Sequence, residues 1–153
     1  MTLIEMAKKE DGVDLSTAED LSLAVMNLIS LEEHFFFTAM KTGKDAYLDT
    51  SAEIRKMRKE LLARLMPMHE GETWCVSKHL LSATMRLIEV GNKLQLEGKK
   101  EEALAMFRNA YRTYSIFWAL KLKLMSVKKL EQTVKQSDRL QDLVTKLADC
   151  CDE

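Results

Sequence analysis

Glu32, Cys75, His79, Arg86 and Glu89 are the residues of this chain whose types and spacing could do chemistry. Projected at about 100° per residue, the segment around residue 32 gathers Leu21, Val25, Leu28, Phe35, Phe36 and Ala39 into one arc, and Glu32 falls in its middle. A carboxylate on such a face is costly to bury unpaired, so Glu32 calls for a cation, a metal or a strong donor beside it. A later helical segment offers candidates. It has two apolar faces, one of Val76, Leu80, Ala83, Leu87, Gly91 and Leu94, the other of Trp74, Leu81, Met85 and Ile88. Between them runs a single polar stripe of Cys75, His79, Ser82, Arg86, Glu89 and Lys93, with Lys78 at its edge. If that stripe faces Glu32, Arg86 is the expected partner, Trp74 closes one side, and Lys78 and Lys93 belong to the solvent.

Cys75 and His79 stand four apart, on neighbouring turns of one helix, and could share a transition metal. His34, Glu32, Glu33 or Glu72 would have to complete it, and the paired Cys-x-x-Cys or His-Glu-x-x-His signals are absent. The Glu-x-x-His spacing of di-iron carboxylate bundles is absent too. Without metal, His79 could serve as a base oriented by Glu32 or Glu89, with Cys75 as nucleophile. Nothing in the sequence supplies an oxyanion hole or a substrate pocket, so the chain reads as a binding protein before an enzyme, with no cofactor required and a metal (Cys75, His79, His34) as the lesser expectation.

The elements that must position these residues are helices. Five Gly and one Pro in 153 residues leave too little turn material for an all-β or alternating α/β fold. Helix 1 opens at Ser16, with Glu19 completing a capping box, and runs to the Thr42-Gly43 stop. Helix 2 starts at a cap among Asp49, Thr50 and Ser51, and Pro67 ends it near Met66. Helix 3 starts near Glu72 or Thr73 and stops at Gly98, and helix 4 runs from about Lys100 to Met125. A fifth, after Ser126, carries Leu130, Val134, Leu140, Leu143, Val144 and Leu147. Short connections make successive helices antiparallel neighbours around a central helix 3. The whole chain is then one all-α domain, with residues 1–15 as a loose arm. In helix 4, Ala103, Phe107, Ala110, Tyr114, Phe117 and Trp118 share a face while Arg108 and Arg112 lie behind it. That is a core stripe with a solvated back rather than a stacking surface for nucleic acid.

From Gly91 to Tyr111 the chain reads GNKLQLEGKKEEALAMFRNAY. Gly91, Leu94, Gly98, Ala103, Phe107 and Ala110 stand at the separations of a tetratricopeptide repeat, which residues 85–118 resemble. The resemblance implies a tightly packed hairpin of helices 3 and 4 and, as is usual in that family, protein or peptide binding. Small residues at 91, 103 and 110 would let the helices approach, with Leu94 and Phe107 filling the gap. The closing proline is missing and no second copy follows, so a solenoid is not expected. A shorter likeness, Arg64-x-x-x-x-His69, is similar to the HEPN family of helical endoribonucleases, but Pro67 interrupts the helix that would present both side chains.

Composition bounds the rest. A balance of 23 Lys and Arg against 24 Asp and Glu gives no global field for nucleic acid or an anionic membrane. Three Cys, two adjacent at Cys150 and Cys151, make no disulfide framework and fit a reducing cytoplasm. No apolar run reaches the 18 or so residues of a spanning helix, so no membrane partner is expected. Ten Met serve as adaptable core filler. Apolar stripes in excess of clear chemistry point to a helical interaction module, self-associating through helix 1 or helix 5 as a homodimer. The competing reading is a small-ligand or metal site between helices 1 and 3, built from Glu32, Trp74, Cys75, His79, Arg86 and Glu89.

Overall fold

The computed structural model describes residues 15–67, 72–123 and 126–129. Four helices account for nearly all of them: α1 (Leu15–Thr42), α2 (Ala46–Leu65), α3 (Thr73–Leu96) and α4 (Lys100–Lys121), with no strand among the described residues. The all-α expectation holds. Residues 1–14 and nearly all of the expected fifth helix lie outside the described residues, as do His69, Cys150 and Cys151.

The stops fall where the chain's few breakers stand. Gly43 leaves α1 at φ +65° and Gly98 leaves α3 at φ +78°, both in the left-handed region that glycine enters without steric penalty. Pro67 keeps α2 from continuing past Met66, whose backbone N–H still donates to the Leu62 carbonyl. Two boundaries differ from the sequence reading. The α2 helix begins a full turn earlier than the Asp49–Ser51 cap, with Asp45 at the N-cap position. The α4 helix ends at Lys121 rather than Met125.

The helices form two antiparallel hairpins, α1–α2 and α3–α4, and α3 touches each of the other three helices. Val25, Met26 and Ile29 of α1, Leu62 and Leu65 of α2, Leu80 and Leu81 of α3, and Phe117 and Leu120 of α4 meet in one core. In the second hairpin the close approach expected of small residues is present. Ala103 and Ala110 are buried, and a Cβ built on Gly91 would stand 2.5 Å from Cε1 of Phe107, so the ring occupies the space a side chain at 91 would need. Polar ties also join the hairpins. Ser22 Oγ and Tyr114 Oη share a hydrogen bond of 2.6 Å between α1 and α4, and the buried Lys121 ammonium donates to the Leu65 carbonyl at 2.7 Å. That carbonyl lies in the last turn of α2, where intrahelical donors run out and a cation is favoured.

The hairpins are unequal in reach. At about 1.5 Å per residue the 28 residues of α1 extend roughly 42 Å, but its core residues stop at Ile29. Past Ile29 the Ser30 hydroxyl still accepts from Arg86 of α3, and the later turns of α1 pack on α2. Ala39 is buried, Phe35 stacks on Tyr47 with centroids 6.2 Å apart, and Ser51 Oγ donates to the Glu32 carbonyl. The distal halves of α1 and α2 thus form a two-helix arm standing off the core.

Candidate functional site

Where the arm meets the core, a cleft opens between α1, α2 and α3. Its larger lobe, about 340 Å³, is lined by Ile29, Glu32, Glu33 and Phe36 of α1, by Ser51, Arg55 and Arg58 of α2, and by Lys78, His79 and Ser82 of α3. A smaller lobe of about 180 Å³ shares Arg55, Arg58 and Lys78 and adds Lys59, Leu62, Trp74 and Cys75.

Glu32 has the cation its position demands, and it comes from α2. Arg58 donates from Nε to Glu32 Oε2 at 3.1 Å and from Nη2 to Oε1 at 3.4 Å, a two-pronged contact that fixes both side chains. Arg55 adds a longer contact, Nη1 to Oε1 at 3.8 Å. Arg58 is only 6% exposed, so this pair is a structural element of the cleft floor rather than a surface decoration.

The polar stripe of α3 divides. His79 and Ser82 line the larger lobe, Trp74 and Cys75 the smaller one, and Lys78 lies between them, half-buried rather than in solvent as expected. Arg86 is not the partner of Glu32: it is exposed and donates from Nη2 to Ser30 Oγ at 3.1 Å. Glu89 is exposed and lines neither lobe, and His34 is exposed, with its ring edge-on to Phe35. The reason is geometric. The α2 helix, not the later turns of α3, flanks α1 at Glu32, so the stripe reaches the cleft only through its first three turns.

Burial, with a smaller contribution from the Lys78 ammonium, holds the His79 imidazole below its ordinary value of 6.5. It is therefore neutral at pH 7. Among the described residues no three His, Cys, Asp or Glu side chains come together as metal ligands. Cys75 lines the smaller lobe and His79 the larger.

Sequence reasoning missed Arg55, Arg58 and Lys59. A signal was present, because on α2 Arg58 projects into the arc of Tyr47, Leu62 and Leu65, as Glu32 does on α1. Two mid-stripe charges of opposite sign on consecutive antiparallel helices mark each other as partners.

A second surface adjoins the cleft. The α1 stripe that buries Ser22, Val25, Met26 and Ile29 continues at helical spacing into Phe36 and Met40, which are 46% and 58% exposed. Phe37, 56% exposed, lies edge-on to Phe36 with centroids 5.3 Å apart. Leu48 of α2, two turns before Arg55 on the same side of its helix, is exposed as well. Phe36, Phe37 and Met40 make an exposed apolar shelf on the distal part of α1, and Leu48 is an exposed apolar side chain on the neighbouring α2.

Comparison with known proteins finds no matching family, no matching curated protein and no matching solved structure. No described helix is long and apolar enough to cross a membrane.

Proposed function

We propose that this chain is a non-enzymatic helical interaction module that pairs with a second copy of itself through the shelf of Phe36, Phe37 and Met40 and the neighbouring Leu48. The observation that carries this reading is the continuity of the α1 stripe: the face that builds the core runs on into the arm, where none of the described residues covers it. A face patterned for burial and left open is the signature of an association surface. These four side chains are uncharged, so a two-fold pairing sets no like charges of the shelf against one another. Covering the exposed part of each contributes about 1 kcal/mol, and it also supports an arm that has no third helix among the described residues.

Sedimentation velocity and native mass measurements on the full chain test this. A species of twice 17.6 kDa at micromolar concentration is expected, reverting to 17.6 kDa in Met40→Glu and Phe37→Glu with the helical signal and melting transition retained. A wild-type chain that stays monomeric at every concentration, or a dimer that survives both substitutions, overturns the proposal.

A further inference from the structure

The side of α1 that carries the shelf is also the side that builds the core. Over its first turns that side holds Ser22, Val25, Met26 and Ile29, in one core with Leu80 and Leu81 of α3 and Phe117 and Leu120 of α4, and Ser22 bonds Tyr114 of α4. Past Ile29 the same side turns to Glu33, Phe36 and Met40, and the larger lobe of the cleft opens between it and α3. A helix packed on the shelf sits one layer out, about 8–10 Å away. Along the first turns of α1 that layer is already filled by α3 and α4. A second copy running parallel to the first along the shelf would therefore drive its own opening turns, and the α3 and α4 that cover them, into the first copy's α3 and α4. A copy running antiparallel meets no such obstacle among the described residues, because its core lies past the Gly43 end of the first copy's arm, where α1 has stopped and the chain has turned back into α2. Resting on the self-association proposed above, we infer that the two copies lie antiparallel over the distal turns of α1, with the tip of each arm, Met40 and Lys41, closing the mouth of the other's larger lobe beside Glu33.

Charge selects the same direction. Past Ile29, α1 carries three Asp, Glu, Lys or Arg side chains: Glu32, Glu33 and Lys41. Glu32 is committed to Arg58. Glu33 and Lys41 are exposed, and neither has an ion pair among the described residues. They stand four residues to either side of Phe37, about 6 Å along the helix in each direction. A two-fold axis beside Phe37 then sets Glu33 opposite the partner's Lys41, and by symmetry the contact occurs twice. Parallel copies would instead set Glu33 against the partner's Glu33 and Lys41 against the partner's Lys41, an arrangement that like charges disfavour. The antiparallel overlap also makes each larger lobe a shared site. One copy supplies Ile29, Glu33 and Phe36 to its lining. The partner's Met40, long, unbranched and apolar, covers them from outside.

Two measurements on the full chain test the orientation. Glu33→Cys and Lys41→Cys combined in one chain, mildly oxidised and with the linked peptides identified by mass, should give a dimer joined between positions 33 and 41. Within one chain these positions lie about 12 Å apart along α1, beyond the roughly 7 Å Cα separation that a disulfide spans, so that link forms only between copies. In sedimentation equilibrium, Glu33→Lys and Lys41→Glu should each weaken the dimer Kd by about tenfold, since two symmetric attractions become repulsions, and the doubly reversed chain should recover most of the loss. Both positions are exposed, and an unchanged helical signal checks that the variants fold. Links of 33 to 33 and 41 to 41, or single reversals that leave Kd unmoved, would overturn the antiparallel arrangement, while a dimer that Met40→Glu still abolishes would keep the shelf as its interface. A wild-type chain that never dimerises would overturn both.

Discussion

The pairing of Glu32 with Arg58 makes two charges depend on one contact, and their unequal burial decides which loss is worse. Glu32→Gln leaves a guanidinium that is 6% exposed with no carboxylate opposite, so a loss of about 3 kcal/mol of unfolding free energy is expected. Arg58→Met removes the more buried charge and leaves Glu32 the Arg55 contact and some water, and should cost less. The double variant should recover part of the larger loss, giving a coupling energy in a denaturant-unfolding cycle, whereas additive losses would show that the pair contributes nothing as a pair. His79 gives a pH dependence. Its folded value lies below 6.5, so the unfolded chain takes up the proton first and stability falls as pH drops below 6.5 through the folded value. His79→Gln should flatten that part of the melting-temperature profile between pH 7 and pH 5. Glu32 was legible in the sequence because a charge within an apolar arc demands a partner. The partner was not legible, because the demand is local while its satisfaction depends on which helix lies alongside.

At the scale of elements, the second hairpin rests on one close approach. Gly91→Ala places a methyl group where the Phe107 ring already stands, and overpacking of this kind costs roughly 1–3 kcal/mol. Shortening the obstructing side chain, in Gly91→Ala with Phe107→Leu, should restore most of the melting temperature. If Gly91→Ala alone melts like the wild type, the ring moves aside freely and the approach carries little energy. The small and large residues that set this contact were readable from their spacing, as were the helix stops at Gly43, Pro67 and Gly98. The starts were less readable. A Ser, Thr or Asp near a helix entrance marks a possible cap, and at α2 the chain enters a turn earlier, directly out of the tight turn at Gly43.

At the scale of the whole molecule, the described residues form a packed core with an arm, and the cleft lies at their junction. That division follows from α1 being longer than the partners covering it, a fact of relative placement that periodicity alone does not carry. The sequence pattern showed a continuous apolar stripe on α1; only the packing shows where its cover by the described helices ends, and the mass measurement proposed for the shelf variants reads the consequence at this scale. The polar tie between Lys121 and the Leu65 carbonyl bears on a different question, the order of events as the chain is made. Residues 56 positions apart must both exist before the end of α2 receives its buried donor. A ribosome synthesising from the N-terminus delivers the first hairpin well before α4. During that interval the nascent α1–α2 pair lacks both its closing cation and the phenylalanine at 117, so completion of this fold is tied to the emergence of its last described helix.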